Sequence, residues 1–406
     1  MPRYIIDEAK LEANLKILAS VRERAGVKIL LAQKAFSCFE LYPLVAKYLD
    51  GATASGLFEA RLAHEEMPCK ENHVFAPAFR TEDMPELLRV VNHIVFNSPR
   101  QVEKFGAQAR AAGVSVGLRV NPEVPVATTP AYDPCRPGSR LGTTRGAWDS
   151  YCSQISIVTN VHKSQISISA LVEGLHFHCL CEQGVEELRK VLAGFEEKFG
   201  DLLPQMKWVN FGGGHHLTRA DYDVDGLVEL LLDFRRRHPH LAVYLEPGEA
   251  VALDAGTLEA TVLEIQPPGA DGISNAILDV SAACHMPDVL EMPYTPRVTG
   301  AVIGGHSTND DRHPGTTSDF RQSASPSCYR FGGPTCLAGD EIGTYTFPHP
   351  LAEGDRVVFE DMAIYSMVKN NTFNGMPLPS IAVRRIDGTV ETLKAFGYAD
   401  FKCRLG

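Results

Sequence analysis

The sequence lacks two features that would place it outside the ordinary globular proteins. It has no apolar run near the roughly 18–20 residues that a membrane-spanning helix needs, and its first residues lead into Asp and Glu rather than into the apolar core of a signal peptide. Its ten cysteines are scattered and include no CxxC pair, so we predict neither a disulfide scaffold nor a cysteine metal site. We expect a cytoplasmic chain with no metal.

Positive charge is also scarce. The chain has 39 Lys and Arg against 50 Asp and Glu, a formal net charge of −11. This balance repels phosphate backbones and anionic lipids, so we predict no nucleic-acid partner and no membrane partner, whereas a cationic ligand is compatible with it. The 406 residues exceed what one hydrophobic core usually supports, so we expect two domains.

Two sequence patterns divide the chain. Over residues 11–248, short apolar or β-branched runs alternate with stretches of helical periodicity, which is typical of a parallel sheet, either closed as a barrel or open and doubly wound. Over residues 249–406, short runs rich in Val and Thr and broken by Gly and Pro predict an antiparallel β domain, to which residues 1–10 add a strand. The polar segment 304–327 is predicted to be a loop and is a candidate lid.

The predicted elements of the first region can be named. Its strands include residues 27–32, 93–96, 115–120, 174–178, 208–211 and 242–245. Its helices include residues 85–91, 99–112, 185–199 and 224–237. In the second region, the clearest strand candidates are residues 276–280, 297–302 and 355–359.

In a barrel of this kind, reactive groups lie at the C-terminal ends of the strands. Lys34 follows the strand 27–32 and has apolar neighbours. Burial there would lower the pKa of its ammonium group, as a Schiff-base lysine requires, although a lysine that reaches solvent is the alternative. His176 and His178 alternate along a strand and share a face, so they predict metal ligands, a base, a ring stacked on a planar cofactor, or simply core histidines.

A glycine turn and two acids follow the later strands. Gly212, Gly213 and Gly214 directly follow the run 208–211, where backbone N–H groups can approach a phosphate; a plain tight turn is the alternative. The spacing is not GxGxxG, which disfavours a dinucleotide. Glu246 and Glu249 flank Pro247 and Gly248, where a carboxylate can hold a protonated ring nitrogen or a substrate ammonium, unless both are ordinary exposed acids.

One cysteine differs from the others in its setting. Cys336 follows Gly-Gly-Pro-Thr and precedes Leu-Ala-Gly-Asp, which predicts an exposed turn and a thiol able to act as a proton donor or nucleophile. Tyr365 lies further along the same region, close in sequence to a second turn at 373–375.

In their order along the chain, these features resemble the fold-type III pyridoxal-phosphate decarboxylases, the alanine racemase-like family that includes ornithine, arginine and diaminopimelate decarboxylases. The resemblance covers essentially the whole chain. It is strongest to the branch that acts on carboxynorspermidine and carboxyspermidine, through the segments 212–216, 246–250, 284–294 and 333–340. It implies a (β/α)8 TIM-like barrel followed by an antiparallel β-sandwich or barrel domain, with pyridoxal 5'-phosphate as cofactor.

The resemblance also implies roles for individual residues. Lys34 would carry the cofactor covalently, His178 would stack on its ring, and Glu246 would pair with its ring nitrogen. Cys336 would come from the second subunit of a homodimer and deliver a proton to the carbon that loses carbon dioxide. The cofactor phosphate would be held by four residues: Gly212, Gly213, Gly214 and Tyr365.

The sequence departs from the family at positions where relatives contact the cofactor phosphate or the substrate. Glu249 stands where relatives have arginine, Leu337 follows the cysteine where relatives have Asp or Glu, and the segment 286–294 offers no arginine for a distal carboxylate. These changes favour a substrate whose far end carries amines, which suggests decarboxylation of carboxynorspermidine or carboxyspermidine in polyamine biosynthesis. The predicted contacts with its ammonium groups are Glu249, Asp288, Glu291 and Asp340.

Three alternatives remain open from the sequence. The chain can act on ornithine, arginine or diaminopimelate instead, or it can be an inactive regulatory relative. The presence of both Lys34 and Cys336 speaks against the inactive relative. A racemase needs a second opposed base; Tyr294 and Tyr329 are the candidates, but neither lies in a motif typical of racemases.

Overall fold

The computed structural model describes residues 1–159, 168–304 and 327–406. The candidate lid lies almost entirely outside these residues. The chain divides into two compact units, which are described separately: residues 12–251, and residues 1–11 together with 252–406. Within the described residues, no helix is both long and apolar enough to cross a membrane.

The larger unit contains a closed barrel of eight parallel strands, as the family resemblance implies. Every neighbouring pair is parallel, and the last strand pairs with the first through Lys28 and Tyr244. The strands, in order around the barrel, are Lys28–Ala32, Gly51–Ala54, Glu71–Phe75, His93–Phe96, Ser115–Arg119, Gly174–His176, Trp208–Asn210 and Ala242–Leu245.

Side chains fill the barrel interior. Leu30, Val95, Trp208 and Tyr244 form a buried cluster contributed by four different strands. Trp208 fits because its neighbour on the adjoining strand is Gly174: a Cβ at that position would lie 2.0 Å from the indole ring. Close packing of this kind makes the barrel a filled core, so ligands can enter only at its ends.

Helices separate the barrel strands along the chain. The amphipathic patterns predict them well: residues 185–199 and 224–237 are helical as predicted, and the other two predicted helices differ by one residue at their ends. The helix Val224–Arg237 is capped at its N-terminus by Asp223, whose carboxylate accepts a hydrogen bond from the N–H of Gly226. The helices that begin in this unit are Tyr42–Tyr48, Leu57–Glu66, Met84–Val90, Pro99–Ala111, Arg145–Thr159, Ile168–Leu171, Val185–Phe199, Val224–Arg237 and Glu249–Ala252.

The smaller unit contains a nine-stranded, mostly antiparallel sheet. Two of its strand pairs are parallel, because the N-terminal strand lies beside Ser380–Arg384, and Ser274–Leu278 lies beside Ser327–Gly332. The strands are Arg3–Asp7, Gly256–Ile265, Ser274–Leu278, Val302–Ile303, Ser327–Gly332, Glu341–Phe347, Arg356–Glu360, Ser380–Arg384 and Val390–Lys394.

The helices of the smaller unit are short apart from the N-terminal one. That helix, Glu8–Ala25, starts beside the first strand and runs into the larger unit along the chain. The others are Ala282–His285, Asp288–Glu291, Ser366–Lys369 and Tyr398–Lys402.

One predicted strand of the smaller unit is wrong. The sequence predicts a strand over residues 297–302, but the structure has only the two-residue strand Val302–Ile303 there. Val298 makes one isolated bridge to Phe359, and Gly300 then takes a φ of +76°, which turns the chain out of an extended course. The alternating pattern over 297–302 therefore predicted a strand where the chain turns at Gly300.

Candidate active site

The predicted reactive residues of the larger unit gather at one end of the barrel. Lys34 and Gly212 each come two residues after a strand ends, and Glu246 comes one residue after. Since parallel strands place their C-terminal ends at the same side of a barrel, these side chains lie around one opening. His178 and Glu249 lie at the same end.

Lys34 is accessible to solvent, yet protein surrounds it closely. The resulting loss of hydration, together with the positive charge of Arg119, lowers the pKa of its ammonium group, although Glu246 and Glu249 oppose this shift. A lowered pKa makes the uncharged, nucleophilic form of this accessible amine easier to reach, and the predicted nucleophilic role of Lys34 stays a prediction.

Arg119 is a buried cation that was not among the predicted site residues. Its guanidinium group donates to the backbone oxygen of His178 at 2.9 Å and lies over the Phe75 ring at 4.5 Å from the ring centroid. Burial lowers its pKa to about 10, so it stays charged at neutral pH. Its signal in the sequence was its position near the C-terminal end of the predicted barrel strand 115–120.

Glu246 is buried and has partners on both carboxylate oxygens. His176 Nε2 lies 3.2 Å from one oxygen, and Asn210 Nδ2 donates to the other at 2.8 Å. Burial alone would raise the pKa of this carboxyl group, but the bonds from His176 and Asn210 outweigh it and hold the pKa below its usual range. Burial also lowers the pKa of His176, so the imidazole is neutral and donates an N–H to an ionised Glu246.

The glycine turn packs directly against the residues around it. Gly212 and Gly214 have φ values of +68° and +87°, and a Cβ on Gly213 would lie 2.1 Å from the backbone oxygen of Glu246. The N–H of Gly212 donates to Asn210 Oδ1 at 2.8 Å, and the N–H of Gly213 donates to His178 Nδ1 at 2.9 Å. Neither bond uses the N–H of Gly214.

The bond from Gly213 settles the state of His178. Because Nδ1 accepts a hydrogen bond from the Gly213 N–H, the neutral ring carries its own proton on Nε2. Burial and the charges of Lys34 and Arg119 hold the pKa of His178 well below its usual value. A neutral, flat ring beside the reactive lysine is compatible with stacking on an aromatic cofactor, and that role stays a prediction.

A second acidic group lies at the same end of the barrel. Glu249 Oε2 lies 2.5 Å from His216 Nε2, and Glu182 brings a further carboxylate, so that one ligand atom of each of the three residues falls within 4.8 Å of the others. Burial opposes a charged His216, but Glu249 and Glu182 outweigh it and raise its pKa. The group therefore brings two carboxylates to one imidazole and favours positive charge beside them.

Cys336 lies in the smaller unit and is exposed, as its turn sequence predicts. The turn is held by Asp340, which is only 4% exposed. Its Oδ1 accepts from Ser281 Oγ at 2.8 Å, and its Oδ2 accepts from Thr335 Oγ at 2.6 Å. The sequence predicts that Asp340 contacts substrate; the observed bonds support a structural role in the Cys336 turn instead, and a substrate contact stays a prediction.

The other predicted residues of the smaller unit are also engaged within it. Asp288 and Glu291 both bind the Lys369 ammonium group, Asp288 at 2.5 Å. Tyr365 has a φ of +52°, a left-handed conformation that a tyrosine rarely adopts. Backbone strain of this kind is frequent in functional segments, and the predicted phosphate contact of Tyr365 stays a prediction.

A further polar group lies at the opposite end of the barrel. Glu71 and His93 each begin a strand, and His73 and His93 stack with ring centroids 4.0 Å apart and planes tilted by 19°. Two rings stacked nearly parallel do not direct their nitrogen lone pairs at one ion, and Lys28 already binds Glu71. This group is therefore a set of packed polar side chains that fills the N-terminal end of the barrel.

Comparison with known proteins agrees with this geometry. Residues 4–363 match the sequence profile of the family described as "Pyridoxal-dependent decarboxylase, C-terminal sheet domain". The chain belongs to the pyridoxal-dependent decarboxylase family. The predictions of the family, of a decarboxylase and of a barrel followed by a mostly antiparallel sheet are thus confirmed.

Two curated relatives of this decarboxylase match over nearly their whole length. A carboxyaminopropylagmatine decarboxylase of Synechocystis sp. is 40% identical, and the match covers 100% of this chain and 95% of the relative. A carboxynorspermidine/carboxyspermidine decarboxylase of Campylobacter jejuni is 41% identical, and the match covers 99% and 98%.

Solved structures show the same architecture. The crystal structure of carboxynorspermidine decarboxylase from Campylobacter jejuni, complexed with norspermidine, has a TM-score of 0.83 at 39% identity, covering 100% of this chain and 99% of that one. A diaminopimelate decarboxylase of Helicobacter pylori has a TM-score of 0.76 at 16% identity, with 100% and 96% covered, which shows the shared fold alone.

Proposed function

We propose that this chain binds pyridoxal phosphate at the C-terminal end of its barrel and removes carbon dioxide from a carboxylated polyamine. The observation that carries the proposal is the grouping, around one opening, of an accessible lysine of lowered pKa, an ionised buried carboxylate and a glycine turn. The lysine suits the aldehyde of the cofactor, the carboxylate suits its ring nitrogen, and the glycine turn suits its phosphate.

The residues present fit the cofactor in their chemistry. Lys34 offers an amine for its aldehyde, and Glu246 has lone pairs left to accept an N–H from its pyridine ring, since two neighbours occupy only part of the carboxylate's capacity. The glycine turn offers backbone without side chains to its phosphate. When bound, pyridoxal phosphate accepts the electron pair that the departing carboxylate leaves behind.

Each residue then has a defined task. Lys34, whose lowered pKa makes its amine easier to deprotonate, would hold the cofactor and give it up to the substrate amine. Glu246, kept ionised by His176 and Asn210, favours a protonated ring nitrogen. Neutral His178 offers a face to the ring without adding charge. After carbon dioxide leaves, one proton must be delivered to the same carbon, and Cys336 of a second copy in a homodimer remains our proposed donor.

The acidic group at the barrel end supports an amine-rich substrate. Glu249 and Glu182 can bind the ammonium groups of a polyamine, and such a ligand would compete with His216 for the two carboxylates. We also retain Asp288 and Glu291 as proposed contacts, because a polyamine nitrogen can replace the ammonium group of Lys369 that they bind.

The relatives add a substrate that the sequence did not suggest. One is named for carboxyaminopropylagmatine, which ends in a guanidinium group, and the other for carboxynorspermidine and carboxyspermidine, which end in an ammonium group. The two relatives are almost equally similar to this chain. The proposal therefore covers the carboxylated polyamines as a class.

The test is carbon dioxide release by the purified holoenzyme from a panel of substrates. The panel contains carboxynorspermidine, carboxyspermidine and carboxyaminopropylagmatine, with ornithine, arginine and diaminopimelate as competitors. We expect kcat/KM at least about a hundredfold higher for one of the first three, equivalent to about 2.7 kcal/mol of discrimination. Equal or faster turnover of an ordinary amino acid would refute the substrate class, and full turnover by Lys34→Ala would refute the site.

A further inference from the structure

Asn210 lies where two parts of the proposed cofactor site meet. It is the last residue of the strand Trp208–Asn210, and it is fully buried. Its amide nitrogen donates to Glu246, and its amide oxygen accepts from the backbone of Gly212, both at 2.8 Å. One side chain thus joins the carboxylate that would face the ring nitrogen to the turn that would face the phosphate.

The orientation of this amide is determined by its partners. The N–H of Gly212 can only donate, so the amide oxygen must face it, and the NH2 group then faces Glu246. A carboxylate in place of the amide could still accept from Gly212 but would meet Glu246 with like charge. An aliphatic side chain would leave both partners unsatisfied. Only a group that donates on one side and accepts on the other fits here.

We propose that Asn210 is a positioning residue that sets Glu246 and the glycine turn together in the geometry that binds the cofactor. The backbone supports this coupling, because the N–H of Glu246 donates to the oxygen of Gly212 at 2.7 Å. Asn210 acts through its two neighbours and needs no contact with substrate or cofactor. This inference rests on the proposed cofactor site.

Two substitutions separate the functions of the amide. Asn210→Ala removes both hydrogen bonds. Asn210→Asp keeps the acceptor for Gly212, and while it is protonated its O–H can still donate to Glu246, so it replaces the amide at low pH only. As pH rises, the introduced group loses its proton and two carboxylates face each other, which disturbs the site. Other charged or titratable groups near Glu246 are His176, His73, His93, Lys34 and Arg119.

The experiment measures the dissociation constant of pyridoxal phosphate from pH 6 to pH 9, each variant being compared with the wild type at the same pH. For Asn210→Ala we expect binding weakened roughly tenfold or more at every pH, as for a buried partner left unsatisfied. For Asn210→Asp we expect near-wild-type binding at pH 6 and a roughly tenfold loss by pH 9. A role limited to folding would not produce this pH-dependent ratio.

A matched control is Asn72→Asp. Asn72 is another buried amide on a barrel strand, and it donates to the backbone oxygens of Ala60 and Val90, away from Glu246. We expect it to lower the unfolding temperature without changing the pH profile of cofactor binding.

The outcomes distinguish the inference from the proposal on which it rests. If wild type binds pyridoxal phosphate and the Asn210→Asp ratio is flat with pH, or Asn210→Ala binds as tightly as wild type, the role of Asn210 is refuted while the cofactor site stands. If wild type does not bind pyridoxal phosphate, the proposed function itself is refuted.

Discussion

The stacked imidazoles at the N-terminal end of the barrel predict how stability depends on pH. His93 lies between His73 and Trp208, with ring centroids 4.0 Å and 5.0 Å away, and its Nδ1 is buried without a hydrogen-bond partner among the described residues. Burial first, and then the neighbouring His73, lower its pKa from 6.5 to about 2. His93 is therefore neutral in the folded chain over the whole range in which proteins are usually handled.

The sign and size of the effect follow from this pKa. Below about pH 6.5 His93 binds a proton in the unfolded chain but not in the folded chain. The free energy of unfolding therefore falls as pH falls, and it does not depend on His93 above about pH 7. When unfolding takes up one whole proton, the loss is about 1.4 kcal/mol per pH unit, so between pH 7 and pH 5 this single histidine lowers the free energy of unfolding by about 2 kcal/mol.

The perturbation is His93→Phe, which keeps a flat ring in the stack and removes the titration. The free energy of urea unfolding is measured at pH 5.0 and pH 7.0 by the fluorescence of Trp208, one of only two tryptophans in the chain. Wild type should lose about 2 kcal/mol more than the variant on acidification. A difference below about 0.5 kcal/mol would mean that His93 is not held neutral by its surroundings.

Three further predictions concern the site. Glu249→Gln should raise KM for the polyamine substrate about tenfold and change kcat little, since an ammonium contact is lost; an unchanged KM would remove Glu249 from the substrate site. Asp340→Asn should destabilise the smaller unit by about 1–3 kcal/mol in thermal unfolding, because the hydrogen bonds from the Ser281 and Thr335 hydroxyls then lose a charged acceptor; wild-type stability would contradict the structural role of Asp340. Arg119→Met should raise the pKa of Lys34, so the rate at which an amine-reactive reagent labels Lys34 should rise with pH at a higher pH than in the wild type. An unshifted profile would exclude Arg119 as a cause of the lowered pKa.

The sequence predicted those parts of the fold in which a local pattern is strong. Helices at 185–199 and 224–237 have long amphipathic repeats, and their bounds were predicted to the residue. The barrel strands Gly51–Ala54 and Glu71–Phe75 carry weak signals by contrast, because one is made of small residues and the other of mixed polar and apolar ones. Their strand pairing is fixed by neighbours in the barrel, which no local window contains.

The sequence also predicted several site residues, because they follow strands that it predicted. Lys34, Glu246 and the glycine turn follow predicted strands, and a parallel barrel brings such positions to one end. Arg119 and Asn210 lie one residue before the ends of the predicted strands 115–120 and 208–211, but nothing in their local sequence marks them as buried partners of the site. Asp340 lies close to Cys336 in sequence and was predicted to contact substrate, but its side chain is buried and holds the loop through hydrogen bonds.

The sequence by itself determined the family, the alternation of strands and helices in the larger unit, and the chemical types available to the site. Only the tertiary structure decided the states of those groups: a carboxylate kept ionised by an imidazole and an amide, a lysine that loses its hydration while it stays accessible, and a glycine turn whose N–H groups are partly engaged. The physical reason is that a pKa and a hydrogen bond depend on distance and burial in space. Residues 34, 119, 176, 210 and 246 come from five different strand ends and meet only when the barrel closes.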